Sequence, residues 1–276
     1  MTGAIASFSA MAVAGREISQ THNTFEIMTY RSLIGLVVMC ISLTVLGKWQ
    51  HVSHASLGVH LVRNSAHFAG QNLWFFAVAT VPLAQVFALE FTTPLWVILL
   101  SPLVLGERLT PAKAGSAAMG FLGIIIITRP GSVPLSAGII SAASCAIFFA
   151  VTMMVTKILT HRERIVSILF WLTFMQLWMG VISCLIFYGQ LVLPNQQTAP
   201  WLLLIGLAGL SAHFCLTTAL SCAPATIVVP FDFVRLPAIA IVGMLLYQEA
   251  IDIWVFIGAV VIFASNYLNV YSGTRN

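Results

Sequence analysis

Charged side chains are scarce in this chain, whose 276 residues include 12 Lys and Arg and 8 Asp and Glu, or 7%. A soluble domain carries about 25% charged residues, so this chain has too few to cover the surface of a soluble globule. A soluble enzyme, a nucleic-acid-binding protein and a disordered chain are therefore excluded. With 59% hydrophobic residues and a mean hydropathy of +0.99, the chain is predicted to be an integral membrane protein.

The sequence also lacks the short motifs that enzymes and ATP-driven pumps carry. It contains no His-Glu-x-x-His, no Gly-x-Ser-x-Gly and no Gly-x-x-x-x-Gly-Lys-Ser/Thr. Its five cysteines are scattered without Cys-x-x-Cys spacing, which is typical of small apolar residues in a core. We therefore expect no enzymatic activity, no cofactor, no metal and no ATP hydrolysis by this chain, so that any transport is secondary or facilitative.

The apolar runs are continuous and do not alternate with a period of two, which predicts helices and argues against a β-barrel. The prediction is an all-α membrane protein with ten spans, at about 2–16, 25–47, 58–79, 83–105, 111–128, 135–157, 165–188, 200–220, 224–246 and 252–271. The first span is short, about 22 Å at 1.5 Å per residue. Either Arg16 reaches back to the interface, or the true start lies upstream of Met1, and we favour the second interpretation slightly.

The distribution of basic residues predicts the orientation. With a cytoplasmic N-terminus, the outer connections carry only Arg16 and Arg129. The inner connections and the C-terminal end then carry Lys48, Arg108, Lys113, Lys157, Arg162, Arg164 and Arg275. This asymmetry obeys the positive-inside rule. We expect a bacterial inner membrane with both termini in the cytoplasm.

The two halves of the chain resemble each other at a shift of 142 positions. Under this shift Glu90 falls on Asp232, another acid, and Gln71 falls on His213. The identical positions include Pro82 with Pro224, Val86 with Val228, Phe91 with Phe233, Leu103 with Leu245 and Glu107 with Glu249. Because each unit has an odd number of spans, the second unit enters the membrane inverted. The predicted units are residues 1–129 and 135–271, and inverted repeats are the architecture of alternating-access transporters.

The same residues resemble the EamA-type repeat of the drug/metabolite transporter superfamily. The resemblance is carried by Pro82 to Gln85, by Leu105 to Thr110, by Tyr30-Arg31-Ser32 and by Gly120 and Gly123, with a weaker second copy at Pro224, Pro237, Glu249 and Gly258. The second copy has Gln248 where a glycine is typical. The resemblance implies ten helices in two inverted repeats around a central cavity, and transport of small organic solutes, mostly by export. Some relatives carry amino acids, and others take up riboflavin or S-adenosylmethionine.

Ionisable residues inside membrane spans are the first candidates for function, because insertion of one costs at least about 2.5 kcal/mol. Glu90 could bind a cationic group or carry a proton, or it could neutralise Arg63 or Arg31. Asp232 and Arg235 lie one turn apart. They form either an ion pair that fixes their helix or a clamp for a zwitterion.

The remaining candidates form a polar stripe on the third span and its surroundings. The stripe consists of Arg63, His67, Gln71 and Asn72, with Trp74 beside it and His213 on the eighth span. We interpret Arg31, with Gln176 as its repeat partner, and the loop residues Glu107 and Glu249 as structural. The expected partners are a small-molecule solute, the lipid bilayer and, if transport is coupled, protons, with no nucleic acid.

The function predicted first is transport of an amino-acid-like or amine solute by alternating access, because both signs of charge are present in the spans. A flat heteroaromatic vitamin such as riboflavin is the alternative, because aromatic residues accompany Gln71, Asn72 and His213. An intramembrane lipid-modifying enzyme is the alternative from a different class. A passive channel or scaffold also fits the composition but explains neither buried acid.

Overall fold

The computed structural model describes residues 2–104, 106, 110–129, 135–222 and 235–273, in which all regular structure is helical. Besides a short 3-10 helix at Trp49–His51, the elements are α1 (Thr2–Ile18), α2 (Thr24–Val45), α3 (Leu57–Thr80), α4 (Leu83–Glu90), α5 (Thr93–Val104), α6 (Pro111–Thr128), α7 (Ala137–Thr160), α8 (Ile165–Tyr188), α9 (Ala199–Cys222), α10 (Arg235–Tyr247) and α11 (Ile253–Gly273). The all-α prediction is confirmed. The ninth predicted span begins outside the described residues, and its described part is α10.

Several helices are long and apolar enough to cross a membrane: α2, α7, α8, α9 over Ala199–Leu216, and α4 and α5 taken together. The shorter apolar helices are α6, α10 and α11. Large apolar side chains point away from the bundle, as on α8, where Leu185, Ile186 and Phe187 are 55%, 70% and 69% exposed. An apolar outer surface of this kind suits contact with lipid.

Side-chain caps mark where helices begin. Asn23 and Glu26 form a capping box at the start of α2, each side chain accepting a hydrogen bond from the other residue's backbone N–H. Thr110 caps α6, and the Asp252 carboxylate accepts a hydrogen bond from the backbone N–H of Trp254 at the start of α11. Both residues directly precede the first residue of their helix.

The fourth predicted span is not one continuous helix. It divides into α4 and α5, and α4 ends at Glu90. Pro94 has no N–H to give to the carbonyl of Glu90, four residues earlier. The hydroxyl of Thr93 donates to that carbonyl instead, at 2.7 Å. The break leaves the Glu90 side chain at a helix end within the bundle.

The helix pairs with the most extensive contacts join one half of the chain to the other. They are α3 with α7, α1 with α9, α2 with α8, and α6 with α11. The bounds of α3 and α9 differ by 142 at both ends, so the repeat relates the α3–α7 pair to the α9–α1 pair. The other two pairs each join equivalent helices, as a two-fold axis between inverted repeats requires.

The turns after α5 and α10 show the same relation in the backbone. Gly106 and Gln248 are equivalent under the 142-residue shift, and both adopt left-handed backbone angles, with φ of +68° and +54°. Glycine enters this region freely, whereas other residues pay about 1–2 kcal/mol. The second copy thus forms the same left-handed turn with glutamine in place of glycine.

Candidate functional site

Glu90 lies at the centre of the first group of candidate residues. Its carboxylate accepts a hydrogen bond from Arg235 Nη2 at 2.9 Å and another from Trp74 Nε1 at 2.8 Å. The side chains of Arg235 and Glu90 are 2% and 15% exposed. The bridge joins α3, α4 and α10, and it balances the charge of the carboxylate with a guanidinium.

Aromatic rings enclose the guanidinium of Arg235. Its central carbon lies 4.8 Å from the ring centres of Phe8 and Phe87 and 5.2 Å from that of Phe91. Cation–π contacts of this kind are worth about 2 kcal/mol or more when they are shielded from water. Phe8 comes from α1, so the short first helix contributes directly to the site.

The partner of Glu90 differs from the expected ones. Among the alternatives for Glu90 was an ion pair with Arg63 or Arg31, but the ion pair in the structure is with Arg235, since α10 packs on α4. The predicted contact between Asp232 and Arg235 lies outside the described residues, as does Glu107. What those two acids contact is therefore left as a prediction.

The polar stripe on α3 faces the interior of the bundle. Arg63, His67, Gln71 and Trp74 are 3%, 2%, 4% and 2% exposed. Arg63 Nε donates to Thr156 on α7 at 3.1 Å, whereas Trp74 reaches Glu90 on α4. The stripe therefore runs along α3 from the Glu90 bridge to a polar contact with α7.

Two amide oxygens in the stripe have no hydrogen-bond partner. Gln71 Oε1 and Asn72 Oδ1 are buried and unpartnered, although Asn72 Nδ2 donates to the carbonyl of Phe68 at 2.8 Å. An unpaired buried acceptor costs about 1–3 kcal/mol. These two oxygens are therefore candidates to accept hydrogen bonds from a solute.

Two histidines from different halves meet in the middle of the bundle. The Nε2 atoms of His67 and His213 lie 3.3 Å apart, so one ring can donate to the other. Phe8 and Phe149 contact the pair edge-on, with ring centres 6.1 Å from His213 and 6.0 Å from His67. The sequence aligns His213 with Gln71 of α3. In the structure, His213 contacts α3 at His67, one turn before Gln71.

Arg31 lies between α2, α8 and α9. Its Nη1 donates to Gln176 Oε1 at 3.3 Å, so the two residues that the sequence suggested as repeat partners contact each other. A Cβ on Gly209 would lie 2.6 Å from Arg31 Nε. The contact joins α2 to α8, and a larger side chain at position 209 would have to displace the guanidinium of Arg31.

Glu249 connects three segments at the predicted outer end. It pairs with Arg16 at 2.6 Å and accepts a hydrogen bond from the backbone N–H of Leu83, the first residue of α4, at 2.9 Å. Arg16 also donates to the carbonyls of Val78 and Val81. By its hydrogen bond from Leu83, Glu249 caps the N-terminus of α4. The sequence could not indicate this partner, because Arg16 lies 233 residues away.

Sequence analysis missed a second connection, at the predicted cytoplasmic end. The carboxylate of Glu163 accepts hydrogen bonds from His60 Nε2 and from the Ser167 hydroxyl, both at 2.7 Å. Burial tends to raise the pKa of Glu163, but these hydrogen bonds outweigh it and hold the pKa below its ordinary value. Neither His60 nor Glu163 stood out in the sequence, because each lies close to a loop with basic residues.

These features define a class of protein: a multi-pass, all-helical membrane transporter whose buried polar groups lie between two inverted halves. The chain belongs to the EamA-like transporter family, which matches residues 1–129 and 136–271. The resemblance seen in the sequence is thereby confirmed, and so is the prediction of a transporter instead of an enzyme.

The relatives that are named for a substrate are transporters of small metabolites. The chain is 30% identical over 276 residues to a riboflavin transporter of Brucella anthropi, covering 97% of this chain and 96% of the relative. It is 32% identical to a riboflavin transporter of Rhizobium johnstonii, covering 75% and 68%. An S-adenosylmethionine uptake transporter of Rickettsia bellii is 23% identical, covering 97% and 91%. These relatives support transport of a small metabolite.

The fold is also found in a solved crystal structure. That chain is 17% identical to this one, with a TM-score of 0.67, and the similarity covers 99% of this chain and 96% of the other. At this identity the similarity establishes the shared fold and nothing about the solute.

Proposed function

We propose that this protein takes up a flat heteroaromatic solute of the riboflavin type. The bridge between Trp74, Glu90 and Arg235 carries the proposal. Because Arg235 balances the charge of Glu90, the carboxylate attracts a cationic amine less than an isolated carboxylate would. Aromatic rings and unpaired amide oxygens suit a solute whose ring system is uncharged and has a π-face and N–H donors.

The assigned roles follow from the contacts. Phe8, Phe87 and Phe91 supply apolar surface beside the bridge, and Gln71 and Asn72 supply acceptors. Trp74 and Arg235 hold Glu90 in place, and a proton on Glu90 would weaken both contacts because it removes the negative charge. Proton coupling through this residue is part of the proposal.

The route across the membrane is alternating access, with the units at 1–129 and 135–271 moving about the two-fold axis. We place the chain in a bacterial inner membrane with both termini in the cytoplasm, as the loop charges favour. In this topology the Arg16–Glu249 contact closes the outer end and the His60–Glu163 contact closes the inner end. Each contact would have to open once in a transport cycle.

A second candidate solute is amino-acid-like or amine-like. The S-adenosylmethionine transporters among the relatives favour it, because they match nearly the whole chain. A cationic solute would replace Arg235 as the partner of Glu90.

The test is uptake into proteoliposomes containing the full chain, with labelled riboflavin, S-adenosylmethionine and amino acids, each with and without a pH gradient. We expect saturable riboflavin uptake in the wild type and a reduction of at least about tenfold in Glu90→Gln, because losing one partner of a buried pair costs about 3–5 kcal/mol. Glu17→Gln, at the exposed end of α1, is the matched control. Saturable uptake of an amine without riboflavin uptake would establish the second candidate instead.

A further inference from the structure

Four basic side chains from three helices come together in the interior of the bundle. Arg31, Arg63, His67 and His213 form this group, which we call the basic cluster. The two imidazole rings are 5.1 Å apart between centres. Both guanidinium groups are near enough to act electrostatically on both rings and on each other. The cluster is therefore a concentration of positive charge in the middle of a membrane protein.

The partners of these arginines are neutral. Arg63 donates to the Thr156 hydroxyl at 3.1 Å and to Asn64 Oδ1 at 2.9 Å, and Arg31 donates to Gln176. Within the described ranges, no carboxylate contacts Arg31, Arg63 or His67.

The acids that the structure describes nearby are engaged elsewhere. Glu90 pairs with Arg235, and Glu163 pairs with His60. A buried charge without a counter-charge costs several kcal/mol, and two adjacent ones cost more. A cation pair of this kind is typical of a site that receives its negative charge from a ligand.

The cluster also has unused hydrogen-bonding atoms. Among the described residues, the buried atoms Arg31 Nε and His67 Nδ1 have no hydrogen-bond partner, and a guanidinium N–H can only donate. Arg31, Gln176, Gly209 and His213 border a partly open space where α2, α8 and α9 meet. The space is therefore polar on the side of Arg31, whose Nε–H is the unpaired donor.

We propose that the basic cluster binds a small anion. The anion is either an inorganic ion such as chloride or an acidic group carried by the transported solute. His67 lies seven residues before Trp74 on α3, about 10 Å along the helix axis. A solute whose ring lies at the Glu90 bridge could thus place a carboxylate or phosphate at the cluster. Of the two sources, the acidic group of the solute rests on the proposed function, and the inorganic ion does not.

The first experiment measures anion binding without transport. The thermal midpoint Tm of the full chain in detergent is followed while sodium chloride or sodium phosphate replaces sodium gluconate at constant ionic strength. For the wild type we expect a saturable rise in Tm of about 3–6 °C at tenfold the half-saturating concentration. The rise should be absent in Arg63→Gln and unchanged in Arg162→Gln, which removes an exposed arginine near the predicted cytoplasmic end.

If Arg63→Gln does not fold, His67→Gln takes its place, because that change keeps a side chain of similar size and polarity. A wild-type Tm that does not respond to the anion would overturn the proposal. An equal response in the wild type and in the cluster variant would overturn it too.

The second experiment separates the two sources of the anion. If the anion is inorganic, riboflavin uptake into proteoliposomes should fall at least several-fold when gluconate replaces chloride and phosphate on both sides. If the solute supplies it, uptake should be indifferent to these salts, and riboflavin 5′-phosphate should compete better than riboflavin in the wild type but not in the cluster variant. Absent riboflavin uptake together with a saturable Tm response would reject the proposed function and leave the anion site standing.

Discussion

Glu163 shows how one carboxylate makes stability depend on pH. Its hydrogen bonds from His60 and Ser167 favour the ionised form and hold its folded-state pKa below the ordinary value. Its contribution is therefore complete above the unfolded pKa of about 4.3 and is lost as the pH falls through the lower folded value. We expect the Tm difference between the wild type and Glu163→Gln to shrink below about pH 4.

The measurement is Tm in detergent from pH 7 to pH 3, with Glu17→Gln as the control at the other end of the molecule. That variant should follow the wild type throughout this range. A constant difference between the wild type and Glu163→Gln would mean that the lost contacts are not those of the ionised carboxylate.

Gln248 is strained by its backbone angle, since φ is +54°. Gln248→Gly should relieve a strain of about 1–2 kcal/mol and lose part of it to the greater freedom of glycine in the unfolded chain. We therefore expect a net gain of about 0.5–1 kcal/mol, seen as a rise in Tm of about 1–4 °C.

Gln190→Gly is the matched control for this change. Gln190 is also an exposed loop residue, but it is not among the described residues with positive φ. The control should lower Tm slightly. Equal shifts in both variants would show that the left-handed turn carries no strain.

Single residues show what the sequence could predict and what it could not. Glu90 and Arg235 stood out because a charge in an apolar run is expensive, and both are indeed buried or half-buried. Their pairing was not predictable, because it depends on the packing of α4 against α10, which are 145 positions apart at the contact. The contact between Arg63 and Thr156, which are 93 positions apart, was hidden for the same reason.

At the scale of elements, the break between α4 and α5 determines where Glu90 lies. The Thr93 hydroxyl donates to the carbonyl of Glu90, which Pro94 cannot reach with an N–H. Thr93→Val keeps the shape but removes this donor, so the carbonyl is left unpaired. We expect a loss of about 1–3 kcal/mol in the free energy of unfolding, measured in detergent, together with reduced solute uptake.

The matched control is Thr152→Val in the continuous helix α7. The hydroxyl of Thr152 also donates to the carbonyl four residues earlier, at 2.8 Å, but that carbonyl has a backbone N–H donor as well. The control should cost much less than Thr93→Val. Equal losses would mean that the break does not depend on the Thr93 hydroxyl.

The positions of the helices were predictable because continuous apolar runs define them, and the predicted ends at 188 and 128 agree with Tyr188 and Thr128. The break in the fourth span was not predicted, although Pro94 was visible. Proline is common in membrane helices, where neighbouring groups can satisfy the freed carbonyl. Whether the helix continues depends on that local hydrogen bonding, which the hydropathy pattern does not contain.

At the scale of the whole molecule, the internal repeat was the most informative feature of the sequence. It predicted two inverted units, and in the structure equivalent helices of these units meet, as α2 and α8 do through Arg31 and Gln176. The precise division into units at 129 and 135 stays a prediction. The contacts that close each end were not predictable, because they join residues from opposite halves.

The final prediction concerns the outer end, where Glu249 connects Arg16 to the start of α4. If this contact closes the outer end, Glu249→Gln should favour the outward-open state. The probe is a cysteine placed at Leu83, which is fully buried, and its rate of reaction with a membrane-impermeant maleimide. We expect the rate to rise about tenfold if the lost contacts are worth about 1.4 kcal/mol.

Glu163→Gln, the same change at the opposite end, is the matched control. No rise with Glu249→Gln, or an equal rise in both variants, would show that this carboxylate is not part of the outer closure. The native thiols whose side chains are described are buried or half-buried, and their background is measured in the chain without Leu83→Cys.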